Sequence, residues 1–246
     1  MSGHSKWATT KHHKAAMDAA RSKIFQKFSK EIMVAASLGG PDPDANPALR
    51  LAIAKAKARS MPKANIEKAV QKGSGTSKEG ADFKSYLYTA TAFGGTNFIV
   101  TCLTDNFNRL ASNIQYYFNK VNGQMGKGTI PYTFDERGVL AIKKEDLKND
   151  WDDVLMIAMD NGAVDFKEDE EEYTIYSEPS SFTELKKALE TEANIENFSI
   201  AEISYIPNTE VVISGDKIEK FENFLDLLED DDDIQEVYHN AVFDEE

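Results

Sequence analysis

Apolar residues recur at helical spacing through Ile24, Phe25, Phe28, Ile32 and Ala35, and the pattern stops at Gly39 and Gly40 before the polar turn PDPDANP. The spacing predicts a helix from about Ser22, with Lys23, Lys27 and Lys30 forming a second stripe beside the apolar one. Asn46 reads as an N-cap with Pro47 at the first helical position, opening a helix that turns Leu49, Ile53 and Ala56 inward. Ser60 or Met61 followed by Pro62 repeats the device, and a third helix runs through Ile66 and Val70 to Gly73 as its C-terminal cap. Three short amphipathic helices with tight connections predict a small bundle. Before it, the segment from Met1 to about Arg21 reads as a mobile or partly helical arm; after it, GSGTSKEG at 73–80 reads as a linker.

Beyond the linker the period changes from helical to alternating. SYLYTATAF and TNFIVTCL predict two strands joined at Gly94 and Gly95, followed by a helix from Asp105 or Asn106 with Leu110, Ile114, Tyr117 and Val121 on its buried side. NGQMGKG reads as a Gly-rich turn, and TIPYTF as a strand that Pro131 restricts to an edge or bulge. Residues 137–205 then resolve into β-α-β-β-α-β, the split-βαβ, ferredoxin-like order, whose ends meet on one sheet and allow insertion into another domain. The tail supplies the strand TEVVI, a helix through Phe221, Phe224, Leu225 and Leu228, and the strand IQEVYHNAV. The expected architecture is α+β and multidomain: an arm and three-helix bundle at 1–78, a discontinuous α/β domain at 79–135 and 207–246, and an inserted ferredoxin-like α/β domain at 136–206.

Charge changes this picture. The first 78 residues hold 15 Lys and Arg against 5 Asp and Glu, a formal +10, and the remaining 168 hold 13 against 37, a formal −24. The net −14 therefore conceals a basic N-terminal third, and a polyanion responds to local positive surface. The single cysteine, Cys102, lies in the apolar run FIVTCL, which rules out an intrachain disulfide framework and a cysteine-based zinc cluster and reads as a small buried hydrophobe. With neither a signal-peptide pattern nor an apolar run of about 18 residues, the expected location is the cytoplasm, away from membranes.

The candidate chemistry lies mainly in the arm. Lys6, Lys11, Lys14, Arg21, Lys23, Lys27 and Lys30, with Trp7, His12 and His13 between them, supply phosphate contacts and one aromatic that either stacks on a base or plugs the bundle. Lys55, Lys57 and Arg59 extend the patch. Adjacent His12 and His13 cannot share a helical face, so no metal is expected, and His239 reads as a surface or satisfied histidine. The runs Asp230–Asp233 and Asp169–Glu172 are uninterrupted and read as solvated helix ends or turns. Tyr86, Tyr88, Phe93 and Phe98 are either a base-stacking platform or, better suited to strands apolar on both faces, sheet core. GQMGKG lacks P-loop spacing, and no hydrolase, Walker, zincin or Cys/His motif is present, so neither an enzyme nor a cofactor is expected. No helix-turn-helix with base-reading side chains is evident in the sequence, and nothing in the basic residues separates DNA from RNA.

GHSKWATTKHHKAAMDAARSKIF, LGGPDPDANPALR, MPKANIEKAV and LLEDDDDIQEVYHNA closely resemble the YebC/PmpR family, which includes the mitochondrial translational activator of cytochrome c oxidase. The resemblance runs from Met1 to about Ala241 and implies a helical N-terminal domain with two α/β domains, the last inserted into the middle one. It implies a non-enzymatic regulator of gene expression: either a transcriptional regulator on duplex DNA or a ribosome-associated translation factor on ribosomal RNA or tRNA. Gly3, His4, Ser5, Lys6, Trp7, Lys11, His12, Lys14 and Ala15 match the family's N-terminal signature, and Asp42, Pro43, Asn46 and Arg50 its first interhelical turn. Asp105, Asn106, Asn108 and Arg109 match its DNxNR segment, which either presents Arg109 to a phosphate or simply caps a helix. The chain departs from the family where it reads YTATAFGG in place of a YEGYGPGG-like hairpin, and at GKGTIPYTF. The acidic domains are expected to hold shape, recruit protein or repel non-specific DNA, and the chain to be a monomer or weak dimer.

Overall fold

The computed structural model describes residues 17–75, 82–126, 130–215 and 217–244. Ala-rich sequence before Arg21 favours helix, and α1 (Met17–Gly39) accordingly starts ahead of the expected Ser22. Asn46 then does two things at once. Its Oδ1 accepts the Leu49 N–H at 3.1 Å and so starts α2 (Pro47–Ala58), while its Nδ2 donates to the carbonyls of Ala35 and Gly40 at 2.8 and 2.9 Å and ties off α1. α3 (Lys63–Ser74) corrects the reading of Gly73 as its cap. That residue lies within the helix, where an added Cβ would stand 2.1 Å from the Met33 carbonyl oxygen; its bare Cα lets α3 approach the backbone of α1.

β1 (Lys84–Ala92) and β2 (Thr96–Thr104) pair antiparallel from Lys84 opposite Thr104 to Ala92 opposite Thr96. Phe93, Gly94 and Gly95 between them have φ of 47°, 77° and 114°. Glycine adopts such values freely, and Phe93 is held there by ring contacts with Phe221 and Phe224 at 5.1 and 5.5 Å. α4 (Phe107–Lys120) buries Leu110, Ile114 and Phe118, and Tyr117 and Val121, half-buried, pack against the same core. After β3 (Gln124–Met125), residues expected as an edge strand instead form a helical turn, α5 (Ile130–Thr133), and the strand begins only at Phe134. Pro131 explains the difference: it has no N–H for a ladder and its fixed φ suits a helix start.

β4 (Phe134–Lys143), α6 (Trp151–Asp160), β5 (Ala163–Glu168), β6 (Glu172–Ser177), α7 (Phe182–Thr191) and β7 (Ile200–Pro207) follow in the expected β-α-β-β-α-β order. The tail forms β8 (Val211–Ile213), α8 (Lys217–Glu229), β9 (Ile234–His239) and β10 (Ala241–Phe243). The expected single strand IQEVYHNAV thus breaks at Asn240. Its side-chain oxygen accepts the Asn97 N–H and its carbonyl the Val211 N–H, both at 2.8 Å, passing the chain from one sheet to the next.

The described chain divides into two compact units. The first takes residues up to Lys27, from 82 to Asp135, and from Tyr205 onward. Its main sheet has the order β3-β1-β2-β9, and β8 pairs with β10 in parallel. Phe98, Val100 and Cys102 pack on one side against Leu110, Ile114 and Phe118 of α4 and Phe221, Phe224, Leu225 and Leu228 of α8. Ile99 packs on the other side with Phe134 and Tyr238, which is why the strand reads as an unbroken apolar run. Tyr86, Tyr88 and Phe93 lie against the first cluster and Phe98 within it, so they serve the core.

The second unit takes residues 28–75 and Glu136–Ser204. Its sheet order β5-β6-β4-β7 is that of a ferredoxin-like domain, with Leu140, Ile142 and Ile175 packed under Val154 and Ala158 of α6 and Phe182, Leu185 and Leu189 of α7. Ala54 of α2 joins the same cluster, with Leu51 and Ala58 against it. The architecture is α+β, with a helical bundle and an inserted ferredoxin-like domain. Among the described residues no helix is long and apolar enough to cross a membrane.

Candidate nucleic-acid interface

Lys6, Trp7, Lys11, His12 and Lys14 lie outside the described residues, so the interface is built here from the helices. Lys23 and Lys27 share a face of α1 at i, i+4, and within the first unit that face meets the end of α8 and the acidic turn after it. Lys23 Nζ is 2.6 Å from Asp230 Oδ1, and the resulting hydrogen bond holds its pKa above the usual lysine value. Lys27 Nζ donates to the Glu229 carbonyl at 2.7 Å, capping the C-terminal end of α8. Burial pulls its pKa down against the opposing pull of Glu236, Glu229, Asp231 and Asp232.

The acidic turn is correspondingly more than a solvated run. Asp231 Oδ2 accepts from Asn113 Nδ2 and Tyr117 Oη, each at 2.9 Å, and Oδ1 accepts the Asp233 N–H at 2.8 Å. Burial, then that bond, pushes the Tyr117 phenol up to about 12. Asp233, 4% exposed, receives Arg109 Nε and Nη2 at 2.8 and 2.9 Å in a bidentate fork. Arg109 Nη2 also reaches Asp105 Oδ1 at 3.0 Å, and hydrogen bonds to Asp233 and Asp105 raise its pKa. The DNxNR segment therefore works as a cap and brace: Asn106 Oδ1 accepts the Arg109 N–H at 3.0 Å, and Arg109 pins the tail turn to α4. Two carboxylates on one guanidinium leave it poorly matched to a phosphate.

In the second unit, Lys55 is half-spoken for as well. Its Nζ is 3.7 Å from Glu31, lies 5.9 Å from the centre of the Phe28 ring, and its side chain is only 12% exposed. Lys30 and Arg59 are half-buried, while Arg21 in the first unit and Lys57 are exposed. Sequence reasoning passed over the cations of α3. Lys63, 87% exposed, Lys68 and Lys72 are all exposed on that helix, and Glu67 lies 3.7 Å from Lys63. The signal was available in the spacing, because Ile66, Ala69 and Gly73 are the buried positions and leave Ala64, Lys68 and Gln71 on the opposite face.

His239 is a satisfied core histidine. It is 3% exposed, its Nδ1 accepts the Ala241 N–H at 3.3 Å, and its ring packs on Phe221 and Phe98. Burial depresses its pKa to about 3. The Cys102 thiol is buried and pushed up to about 12, far from a reactive thiolate. Among the described residues no group of three His, Cys, Asp or Glu side chains is placed to hold a metal ion.

Two family models match the chain: the TACO1/YebC protein N-terminal domain over residues 5–76, and the TACO1/YebC second and third domain over residues 83–241. A "Probable transcriptional regulatory protein" of Metamycoplasma arthritidis is 61% identical over 98% of both chains. One of the same name from Geobacillus sp. (strain WCH70) is 46% identical over 98% of this chain and 97% of that one. The crystal structure of a conserved hypothetical protein from Aquifex aeolicus superposes with a TM-score of 0.78 at 37% identity, covering 98% of each chain. The chain belongs to the TACO1/YebC family.

Proposed function

We propose that the protein is a cytoplasmic, non-enzymatic regulator of gene expression that acts in transcription by binding duplex DNA through its basic N-terminal third. The observation that carries this reading is the division of charge: +10 over residues 1–78 against −24 over the rest. Cations concentrated on one segment attract phosphates locally, and at 0.1 M salt charges more than about 10 Å away are largely screened, so the cations that no carboxylate touches decide the local field. The names of the relatives agree with a regulatory role. Phosphate contacts are assigned to Lys6, Lys11, Lys14, Arg21 and Lys57, with Trp7 and His12 beside them and the half-buried Lys30 and Arg59 at the margin. Lys23, Lys27, Lys55 and Arg109 are placed outside the contact set because carboxylates and carbonyls already engage them. The acidic domains would hold shape, turn away non-specific DNA and offer a surface to protein partners.

The test is a salt titration of the full chain on duplex DNA, beside a variant with Lys6, Lys11, Lys14 and Lys57 replaced by Gln. Each lost phosphate contact lowers the slope of log K against log salt by about 0.9. An unchanged slope overturns the assignment. Crosslinking in cells followed by sequencing separates the polymers: promoter DNA is expected, and enrichment of ribosomal RNA or tRNA without promoter DNA overturns the transcriptional reading.

A further inference from the structure

The connection between α2 and α3 is four residues, Arg59 to Pro62, and it is rigidly built. Ser60 has φ of 58° and donates its N–H to the Lys57 carbonyl at 2.9 Å; Met61 donates to the Ala56 carbonyl at 3.0 Å and is buried. These are the paired hydrogen bonds of a Schellman ending, with Met61 as its hydrophobic anchor. Pro62 then opens α3, its carbonyl accepting the N–H groups of Asn65 and Ile66 at 2.9 and 3.2 Å. At the far end, the contact of Gly73 with the Met33 carbonyl fixes α3 against α1. Two helices joined by a four-residue turn, the second packed on the first helix of a three-helix bundle, have the connectivity of a helix-turn-helix.

We infer that α3 is a recognition helix that enters the major groove of duplex DNA and reads bases through Ala64, Lys68 and Gln71. This rests on the DNA-binding reading above and adds to it a reading element and the groove that receives it. The three residues follow one another at i, i+4 and i+7 on the face opposite buried Ile66, Ala69 and Gly73, and all are exposed. Their chemistry differs in the way the groove demands: a methyl for the thymine methyl, a cation for guanine O6 and N7, and an amide for adenine N6 and N7. Asn65 and Lys72 flank the stripe on one side and Glu67 on the other, where a carboxylate can accept only from cytosine N4. Lys63, Lys68 and Lys72 give the helix a positive surface complementary to the groove walls. Twelve residues span roughly 18 Å, enough to lie along a groove about 12 Å wide. A-form RNA has a deep, narrow major groove that does not admit a helix, so duplex DNA is the committed partner.

The experiment selects sequences from a random duplex DNA library with the full-length chain, and repeats the selection with Lys68→Ala and with Gln71→Ala. Both positions are exposed, so circular dichroism and thermal unfolding should match the parent. The expected result is an enriched short motif in which Gln71→Ala relaxes preference at one base pair, and Lys68→Ala at a neighbouring one, each by about tenfold to a hundredfold. Gln71→Ala should leave the salt slope unchanged, and double-stranded RNA should fail to displace the selected DNA. Salt-dependent DNA binding with no motif, a motif identical in all three proteins, or equal competition by double-stranded RNA overturns the recognition helix while leaving polyanion binding in place. Failure of the unmodified chain to retain any duplex overturns the DNA-binding reading itself.

Discussion

Replacing Gly73 with alanine sets two effects of opposite sign against each other. In the interior of α3 the substitution removes backbone freedom from the unfolded chain and favours folding by about 1 kcal/mol. Against this, the new Cβ would stand 2.1 Å from the Met33 carbonyl oxygen, 2.9 Å from its carbon and 3.0 Å from the Ala36 Cβ. The obstacle is backbone, which cannot rotate aside, so α3 and α1 must separate by about 1 Å to regain ordinary contact distances. That separation loosens Ile66 and Ala69 from their contacts, and overpacking of this kind costs about 1–3 kcal/mol, with the rigid partner favouring the upper end. The overlap wins, and the net expectation is a loss of about 2 kcal/mol. For a unit of about 120 residues that corresponds to roughly 6–12 °C in the melting transition of the unit containing α3. Calorimetry on the full chain, with the two units allowed separate transitions, provides the measurement. A melting temperature equal to or above that of the parent would refute the close approach of the two helices. The same variant should lose motif preference before it loses salt-dependent binding, because tilting α3 moves Ala64, Lys68 and Gln71 without removing a charge.

Arg109→Met should destabilise the first unit by about 1–3 kcal/mol, because it takes the bidentate guanidinium away from buried Asp233; the figure is held down by the 47% exposure of the Arg109 side chain. Its DNA salt slope should match the parent; a drop of about 0.9 would return Arg109 to the phosphate-contacting set. His239 stays neutral in the fold down to about pH 3 but takes a proton near 6.5 when unfolded. The unfolded state therefore binds the extra proton between these values, so stability present above pH 6.5 is lost as pH falls, by about 1.4 kcal/mol per unit. His239→Asn, which keeps an acceptor for the Ala241 N–H, should be less stable at pH 7 yet flatter in its decline between pH 6.5 and 4.5. Parallel declines in chemical denaturation across that range would count against the buried neutral ring.

What could be read in the chain was what local chemistry decides. Asn46 followed by Pro47 marks a helix start because capping involves only the four residues from Asn46 to Leu49, and the β-α-β-β-α-β order follows from changes of period that neighbours alone impose. Apart from TIPYTF, where Pro131 itself sets the helical turn, the misreadings sit where a distant segment settles the outcome. IQEVYHNAV alternates well enough for one strand, but Asn240 is claimed by Asn97 and Val211 and the strand breaks. Gly73 has the look of a helix cap, and only the backbone of α1 shows why glycine is needed two residues before the actual cap, Gly75. The run Asp230–Asp233 looked solvated because its partners, Lys23, Asn113, Tyr117 and Arg109, are more than a hundred residues away.

That last misreading bears on the proposed function. A charge count treats every lysine of the basic third as available to a polyanion, but the fold spends Lys23 and Lys27 on the end of α8 and its acidic turn, and Lys55 on Glu31. Affinity must then come from the arm, the end of α2 and α3. The consequence is geometric as well as electrostatic. An unanchored stripe of lysines would hold a phosphate backbone in any register and read nothing. Cations on α3 are fixed by the turn at Ser60 and by the contact at Gly73, and they share the helix face with a methyl and an amide. Positive charge alone cannot name the sequence it touches; charge held on a rigid helix beside Ala64 and Gln71 can.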